Sequence, residues 1–306
     1  MLGYLCNLLN DMGPVSRFIP ASPAYPRHPD QVNWKAIDAR HGRVLLRSVR
    51  GRPRISVWDP VTGERWELPP LSDAWYEDDE DYWNAAVLCA ATGCGHLDCR
   101  GKPFLVVCAG SCGTEMISLC IYSSETGSWS EPIFAAPRPE YGVTDQAPPA
   151  LVGNTLYFMV RMGTGILRYD LVTREATMDE NLAVKSLNYS SVPMALEDGG
   201  MALGVENYSK LFLWSMETSP KGDISWKKIR MIELNELLPV TVRDRPVDVN
   251  CFAFVPPFGI LVYTPPRLFS IDLMSDKVEV VCEGRYMSGI VPYRSFYIPG
   301  ITLHGF

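Results

Sequence analysis

Residues 54–69 read RISVWDPVTGERWELP: an apolar strand, a short turn and a more polar strand. The first strand, Ile55 to Trp58, is apolar on both of its faces, which a strand covered on both sides needs. The turn Val61-Thr62-Gly63 is hairpin chemistry. The pattern returns at 118–133 (SLCIYSSETGSWSEPI), 165–179 (GILRYDLVTREATMD), 210–230 (KLFLWSMETSPKGDISWKKIR) and 267–282 (RLFSIDLMSDKVEVVC). Each is preceded by two further strand-like runs, such as 34–38 with 42–48 and 85–91 with 103–109. Gly153-Asn154 and Gly199-Gly200 mark tight hairpins between such pairs. Four antiparallel strands per unit follow.

The units begin at residues 54, 118, 165, 210 and 267, the spacing of propeller blades carrying loop insertions. A four-stranded sheet cannot bury both faces alone, and stacking blades in a ring solves this. A last strand, 289–299, has no downstream partner and is expected to pair with 15–20, closing the ring. The expected fold is all-β: one β-propeller of six blades, with five and seven as neighbouring counts. It should span 15–302, after a linker or short helix at 1–14 and before a tail at 303–306. Helical periodicity is confined to 2–9 and 232–238.

The remaining sequence bounds the function. The chain has 306 residues, 47% of them hydrophobic, and a net charge of −7. A core is affordable, and no basic field recruits nucleic acid. No run approaches the roughly 18 apolar residues of a membrane-spanning helix, so no membrane partner is expected. Nine cysteines, several in apolar strands, fit buried free thiols in a reducing compartment. The expected location is intracellular, cytoplasmic or nuclear. The sequons at Asn188 and Asn207 are then incidental.

Catalytic signatures are few. Nucleophile-elbow, Walker A and zinc-protease motifs are absent, and there are four histidines. The innermost strands carry almost no acids for glycosidase chemistry, Glu197 and Asp198 lacking a partner pair. The chain reads as a non-enzyme without a cofactor. Cys94, His96 and Cys99 form a C-x-H-x2-C grouping in a Gly-rich loop. A closed zinc site needs four ligands, and Asp98 is the nearest fourth. Paired C-x2-C knuckles are absent, so these side chains are expected to pack at the blade edge without metal.

Topology puts the long insertions 71–84, 136–148 and 238–247 on one end of the ring and the Cys94 loop on the other. The acidic run 77–81 is flanked by Trp75, Tyr76, Tyr82 and Trp83. Long loops on a rigid scaffold carry function, and exposed aromatics anchor interfaces. Trp75, Tyr76, Trp83 and Tyr141, with Arg50 and Arg52 from the basic segment 48–54, are the candidate partner-binding residues.

The runs DARHGRVLLR (38–47), VWDPVTGERWELPPL (57–71), AAVLCAATGCGHLDCRGKPFLVVC (85–108), PALVGNTLYF (149–158) and SWKKIRMIEL (225–234) carry a resemblance. Together and in order they resemble the propeller region of the plant F-box protein family, in its grass branch, across about residues 12–299. The resemblance implies a substrate-recognition propeller of an SCF-type ubiquitin ligase, with an unidentified substrate protein as partner. In that family an F-box precedes the propeller and docks on the Skp adaptor. Residues 1–30 leave no room for one, so Skp binding is expected only where a longer protein supplies it. The alternative class is a glycan- or small-ligand-binding propeller using the same aromatics.

Overall fold

The computed structural model describes residues 3–10, 13–22, 28–50, 52, 54–72, 75, 83–96, 99, 101–111, 116–137, 142–160, 165–179, 191–196, 198–219, 224–239, 249, 251–255, 259–284 and 286–293. They form a six-bladed β-propeller of antiparallel blades. Strands β1 (Gly3–Asn10), β2 (Gly13–Pro20) and β3 (Gln31–Val32) belong to the blade that closes the ring. Blade 1 is β4 (Trp34–Arg40), β5 (Arg43–Ser48), β6 (Ile55–Trp58) and β7 (Arg65–Glu67). Blade 2 is β8 (Trp83–Cys89), β9 (Phe104–Ser111), β10 (Met116–Ser123) and β11 (Ser128–Trp129), with β12 (Ile133–Pro137) returning along β10. Blade 3 is β13 (Ala150–Val152), β14 (Thr155–Met159), β15 (Ile166–Asp170) and β16 (Ala176–Asp179).

Blade 4 is β17 (Ser191–Ala195), β18 (Met201–Asn207), β19 (Lys210–Thr218) and β20 (Ile224–Glu233), followed by the single helical turn α1 (Leu234–Leu237). Blade 5 is β21 (Cys251–Val255), β22 (Gly259–Thr264), β23 (Arg267–Asp272) and β24 (Val278–Glu283). Strand β25 (Met287–Tyr293) is innermost in blade 6, in the order β25-β1-β2-β3.

Closure differs from expectation by one strand. The segment 289–293 pairs with β1, Leu5 opposite Val291, and 15–20 lies one strand further out. Residues 3–10, expected as linker or short helix, are therefore propeller. Tyr4, Leu5 and Cys6 are all buried because β1 has a blade on each side. A short apolar run of that kind has no alternation to separate strand from helix. Residues 294–306, including the expected tail at 303–306, lie outside the described residues.

The core is six apolar layers, one between each pair of neighbouring blades. Alternate residues of one strand serve different layers. Leu45 packs toward blade 2, whereas Val44 and Leu46 pack toward blade 6. This is why strands with a period-2 side-chain geometry read as continuous apolar runs. Gly204 shows how tightly a layer closes: a Cβ there would sit 2.4 Å from the Phe254 ring.

The repeated turns share one solution. The Oδ1 of Asp59 accepts from the Val61 and Thr62 amides at 2.8 and 3.3 Å. Asp170 and Asp272 make the same pair of bonds two and three residues on. The fourth residue after each is left-handed: Gly63 at φ 77°, Arg174 at 60° and Asp276 at 54°. Four-residue hairpin loops built on a helical turn have this form.

Candidate functional site

The hairpin between the first two strands of a blade is two residues long in blade 1 (His41-Gly42) and blade 3 (Gly153-Asn154). In blade 2 it runs from 90 to 103. Gly93, His96 and Gly101 are left-handed and fold this loop back on itself. Among its described residues only Cys99 is buried, so apolar packing alone does not shape it. Blade 1 pins it. The Arg43 guanidinium, itself buried, donates to the Cys99 carbonyl at 2.6 Å and the Lys102 carbonyl at 2.5 Å. It also lies over the Phe104 ring, 5.2 Å from its centroid.

The loop brings Cys94, His96 and Cys99 together with Cys89, the last residue of β8. Their ligand atoms all lie within 4.8 Å of one another. Cys94 Sγ is 3.6 Å from Cys99 Sγ, and Cys99 Sγ is 3.6 Å from His96 Nδ1. The His96 amide donates to Cys94 Sγ at 3.4 Å, and Lys102 Nζ does so at 3.3 Å. The His41 ring, 4.3 Å away, covers the His96 ring.

These contacts split the thiols. The His96 amide, then the Lys102 ammonium, bring Cys94 down to about 7 against the desolvation that raises it. Burial, then the adjacent Cys89 and Cys94 thiols, push Cys99 up to about 12. Burial, then the neighbouring His96 ring and the Arg40 and Arg43 charges, lowers His41 to about 4.

The sequence reading found three of these four groups and missed Cys89, which looks like a core residue of AAVLCAA. The hairpin register explains its position: Cys89 pairs with Phe104, so the returning end of the loop lies beside the end of β8. The readable signal is the spacing C-x4-C-x-H-x2-C. Asp98, the fourth ligand expected from spacing, lies outside the described residues.

At the opposite, inter-blade end the aromatic anchors are corrected. Trp75 and Trp83 are 5% and 2% exposed and belong to the layer between blades 1 and 2. Their rings fill the junction instead of offering a partner surface, because a blade wedge needs bulky residues at its rim. Trp83 lies under the Arg47 guanidinium, 5.2 Å from the ring centroid. Arg47 reaches Asp145 at 3.1 Å and Lys35 reaches the same carboxylate oxygen at 2.9 Å. Asn84 donates to the Thr144 and Ala147 carbonyls, both at 2.9 Å. Arg50 and Arg52 are exposed at this end. Tyr76, Tyr141, the acidic run 77–81 and Glu197 lie outside the described residues.

The central channel holds a pocket of about 210 Å³ lined largely by apolar and proline residues of the innermost strands. Its titratable lining among the described residues is Asp38 and Arg40, paired at 2.9 Å. Asp38 also accepts from the Val87 amide at 2.9 Å. A larger cleft, about 620 Å³, opens between blades 2 and 3 at the hairpin end. Cys89 and His96 form part of its wall, with Trp129, Tyr169 and Arg174. No helix among the described residues is long and apolar enough to cross a membrane.

These features define a six-bladed β-propeller with a thiol–imidazole cluster at one end and an ion-paired junction at the other. No family model matches the chain, and no curated protein matches it. Solved structures resemble it distantly. The extracellular domain of the putative hybrid two component system BT4673 from B. thetaiotaomicron is 12% identical at a TM-score of 0.42, over 94% of this chain and 30% of that one. YCF48 bound to D1 peptide is 7% identical at 0.46, over 91% of this chain and 81% of that one. A puromycin hydrolase mutant complexed with PGG is 13% identical at 0.45, over 82% and 39%. The chain thus spans under a third of the length of the bacterial extracellular domain. Likeness this distant says nothing of what the chain binds.

Proposed function

We propose that this propeller is a protein-recognition module that acts by binding, without bond chemistry of its own, and that its partner docks on the inter-blade end. The observation that carries this is the pair Tyr208 and Tyr286, 74% and 70% exposed. Tyr208 lies in the β18–β19 hairpin and Tyr286 between β24 and β25, both at that end by topology. Both are left-handed, at φ 56° and 57°. Bulky residues seldom adopt that conformation. Large exposed aromatics held on a rigid scaffold are the side chains that dominate protein interfaces. Leu9, Val32 and Met231 add exposed apolar surface toward the same end.

The resemblance to plant F-box proteins supplies the finer reading. The partner is then a substrate held for ubiquitin transfer, and Skp docking belongs to an F-box elsewhere in a longer protein. The test places a photo-crosslinking residue at Tyr208 or Tyr286 and, for comparison, at Val172 or Met274. One target should cross-link from both tyrosine positions, and the Tyr208→Ala/Tyr286→Ala variant should lose it while keeping its melting temperature. Capture undiminished in that variant, or cross-links confined to Val172 and Met274 at the hairpin end, would overturn the docking end.

The small-ligand reading draws on the cleft between blades 2 and 3, whose volume lies in the usual range for ligand sites. A saccharide panel that raises the melting temperature would favour it, since ligand binding to the native state alone stabilises by mass action.

A further inference from the structure

We propose that Cys89, Cys94, His96 and Cys99 bind one zinc ion, which closes the loop 90–103 as a structural site. This does not rest on the docking end proposed above. Two of the six ligand–ligand separations already match a tetrahedral shell, and the other four lie within 4.8 Å, so closure on an ion draws them in by about 1 Å or less. Zn–S bonds of about 2.3 Å and Zn–N bonds of about 2.0 Å set ligand–ligand edges of roughly 3.5–3.8 Å. The Cys94–Cys99 and Cys99–His96 separations are both 3.6 Å, and all four ligand atoms lie within 4.8 Å. The cysteines are free thiols. Three soft sulfurs and one imidazole nitrogen select zinc over magnesium or calcium.

The surroundings match the charge of such a site. Binding Zn(II) to three thiols releases three protons and leaves a complex of charge −1. The Lys102 ammonium, 3.3 Å from Cys94 Sγ, offsets that charge. The His96 amide donates to Cys94 Sγ, two residues back, as a second partner for a metal-bound thiolate. His41 covers the imidazole face and Arg43 holds the carbonyl of Cys99. Four protein ligands leave no open position, so the site is structural and not hydrolytic. It also answers what shapes a long loop with a single buried residue among those described. Because Cys89 and His96 line the cleft between blades 2 and 3, the ion would fix that wall.

The experiment uses the full chain, reduced and stripped of metal, titrated with cobalt(II) alone and then with zinc(II). One cobalt per chain should bind, giving tetrahedral visible bands and a thiolate-to-cobalt charge-transfer band that zinc bleaches. Cys94→Ser and His96→Ala should weaken zinc binding by at least about 100-fold, and Lys102→Ala by about 10-fold, whereas Cys282→Ser should leave it unchanged. In the unmodified chain, zinc should protect Cys89, Cys94 and Cys99 from alkylation, with no change at Cys282. That measurement stands even where a variant fails to fold. No tetrahedral cobalt spectrum, or alkylation of the three cysteines unaffected by zinc, would overturn the proposal.

Discussion

Arg43 and Arg47 lie four residues apart on β5, both on the side that faces blade 2, yet they close the two ends of one junction by different chemistry. Leu45 sits between them in the apolar layer. Each guanidinium lies 5.2 Å from the centroid of a blade 2 ring, Phe104 at the hairpin end and Trp83 at the inter-blade end. Arg43 then meets two neutral carbonyls, those of Cys99 and Lys102. Arg47 meets a carboxylate, Asp145, which it shares with Lys35. The same residue type on one strand thus anchors one loop by hydrogen bonding and the other by charge. A planar guanidinium can stack and donate at its rim together, which explains arginine at both places. The two ends should fail under different conditions.

The largest effect separates the ends by truncation. Arg43→Ala strands two carbonyls and removes a stacked group, and should lower stability by about 3–5 kcal/mol. Arg47→Ala leaves Asp145 its second cation, Lys35, and should cost about 2–3 kcal/mol. Urea denaturation measures both. Equal losses, or a larger loss for Arg47→Ala, would break the claim that the hairpin end depends more heavily on its arginine.

The sequence made much of this legible, and the reason is repetition. Strands apolar on both faces, joined by short hairpin turns, have few solutions other than stacked blades, so all five internal blades could be placed from residues such as Ile55–Trp58 and the turn Val61-Thr62-Gly63. The strand at 3–10 was not legible, because Leu5 and Cys6 serve different layers and cancel the alternation that marks a strand. The candidate sites were harder. Trp75 and Trp83 look like surface anchors beside an acidic run, and only the three-dimensional wedge between blades 1 and 2 shows that they fill it. Cys89 closes strand β8, and only the hairpin register brings it beside the loop. Tyr208 and Tyr286 stand out only once their exposure and left-handed backbone are known.

Acid sharpens the comparison next. Burial pushes the Asp145 carboxyl up, but the charges of Lys35 and Arg47, with the Lys35 hydrogen bond, outweigh it, and its pKa lies below the ordinary value. A carboxyl with a depressed folded pKa contributes stability that is present above its unfolded pKa, near 4, and lost as pH falls through the folded value. The carbonyls at Arg43 do not titrate. Below about pH 4, Asp145→Asn should therefore flatten the fall of stability with pH, whereas Arg43→Ala should run parallel to the wild type. Stability measured from pH 6 downward checks this. An acid limb unchanged in Asp145→Asn would remove charge as the distinction between the ends.

The smallest effect comes from replacing each arginine by lysine. Lysine keeps the charge but concentrates it at one point and gives up the flat face. At position 47 a point charge still satisfies most of what Asp145 asks, because Lys35 already bonds the same oxygen as an ammonium. Arg47→Lys should cost about 1 kcal/mol, chiefly the lost stacking on Trp83. At position 43 one terminal nitrogen donates at 2.6 and 2.5 Å to two carbonyls three residues apart while the guanidinium plane lies over Phe104. An ammonium on a thinner stem can reach the carbonyls only by leaving the ring, so Arg43→Lys should cost about 2 kcal/mol. The difference of about 1 kcal/mol is small, and paired denaturation curves at pH 7 read it. It should reappear as faster hydrogen exchange in 101–105 for Arg43→Lys alone. Equal costs without that local signal would mean that charge, not the shape of the guanidinium, holds both ends.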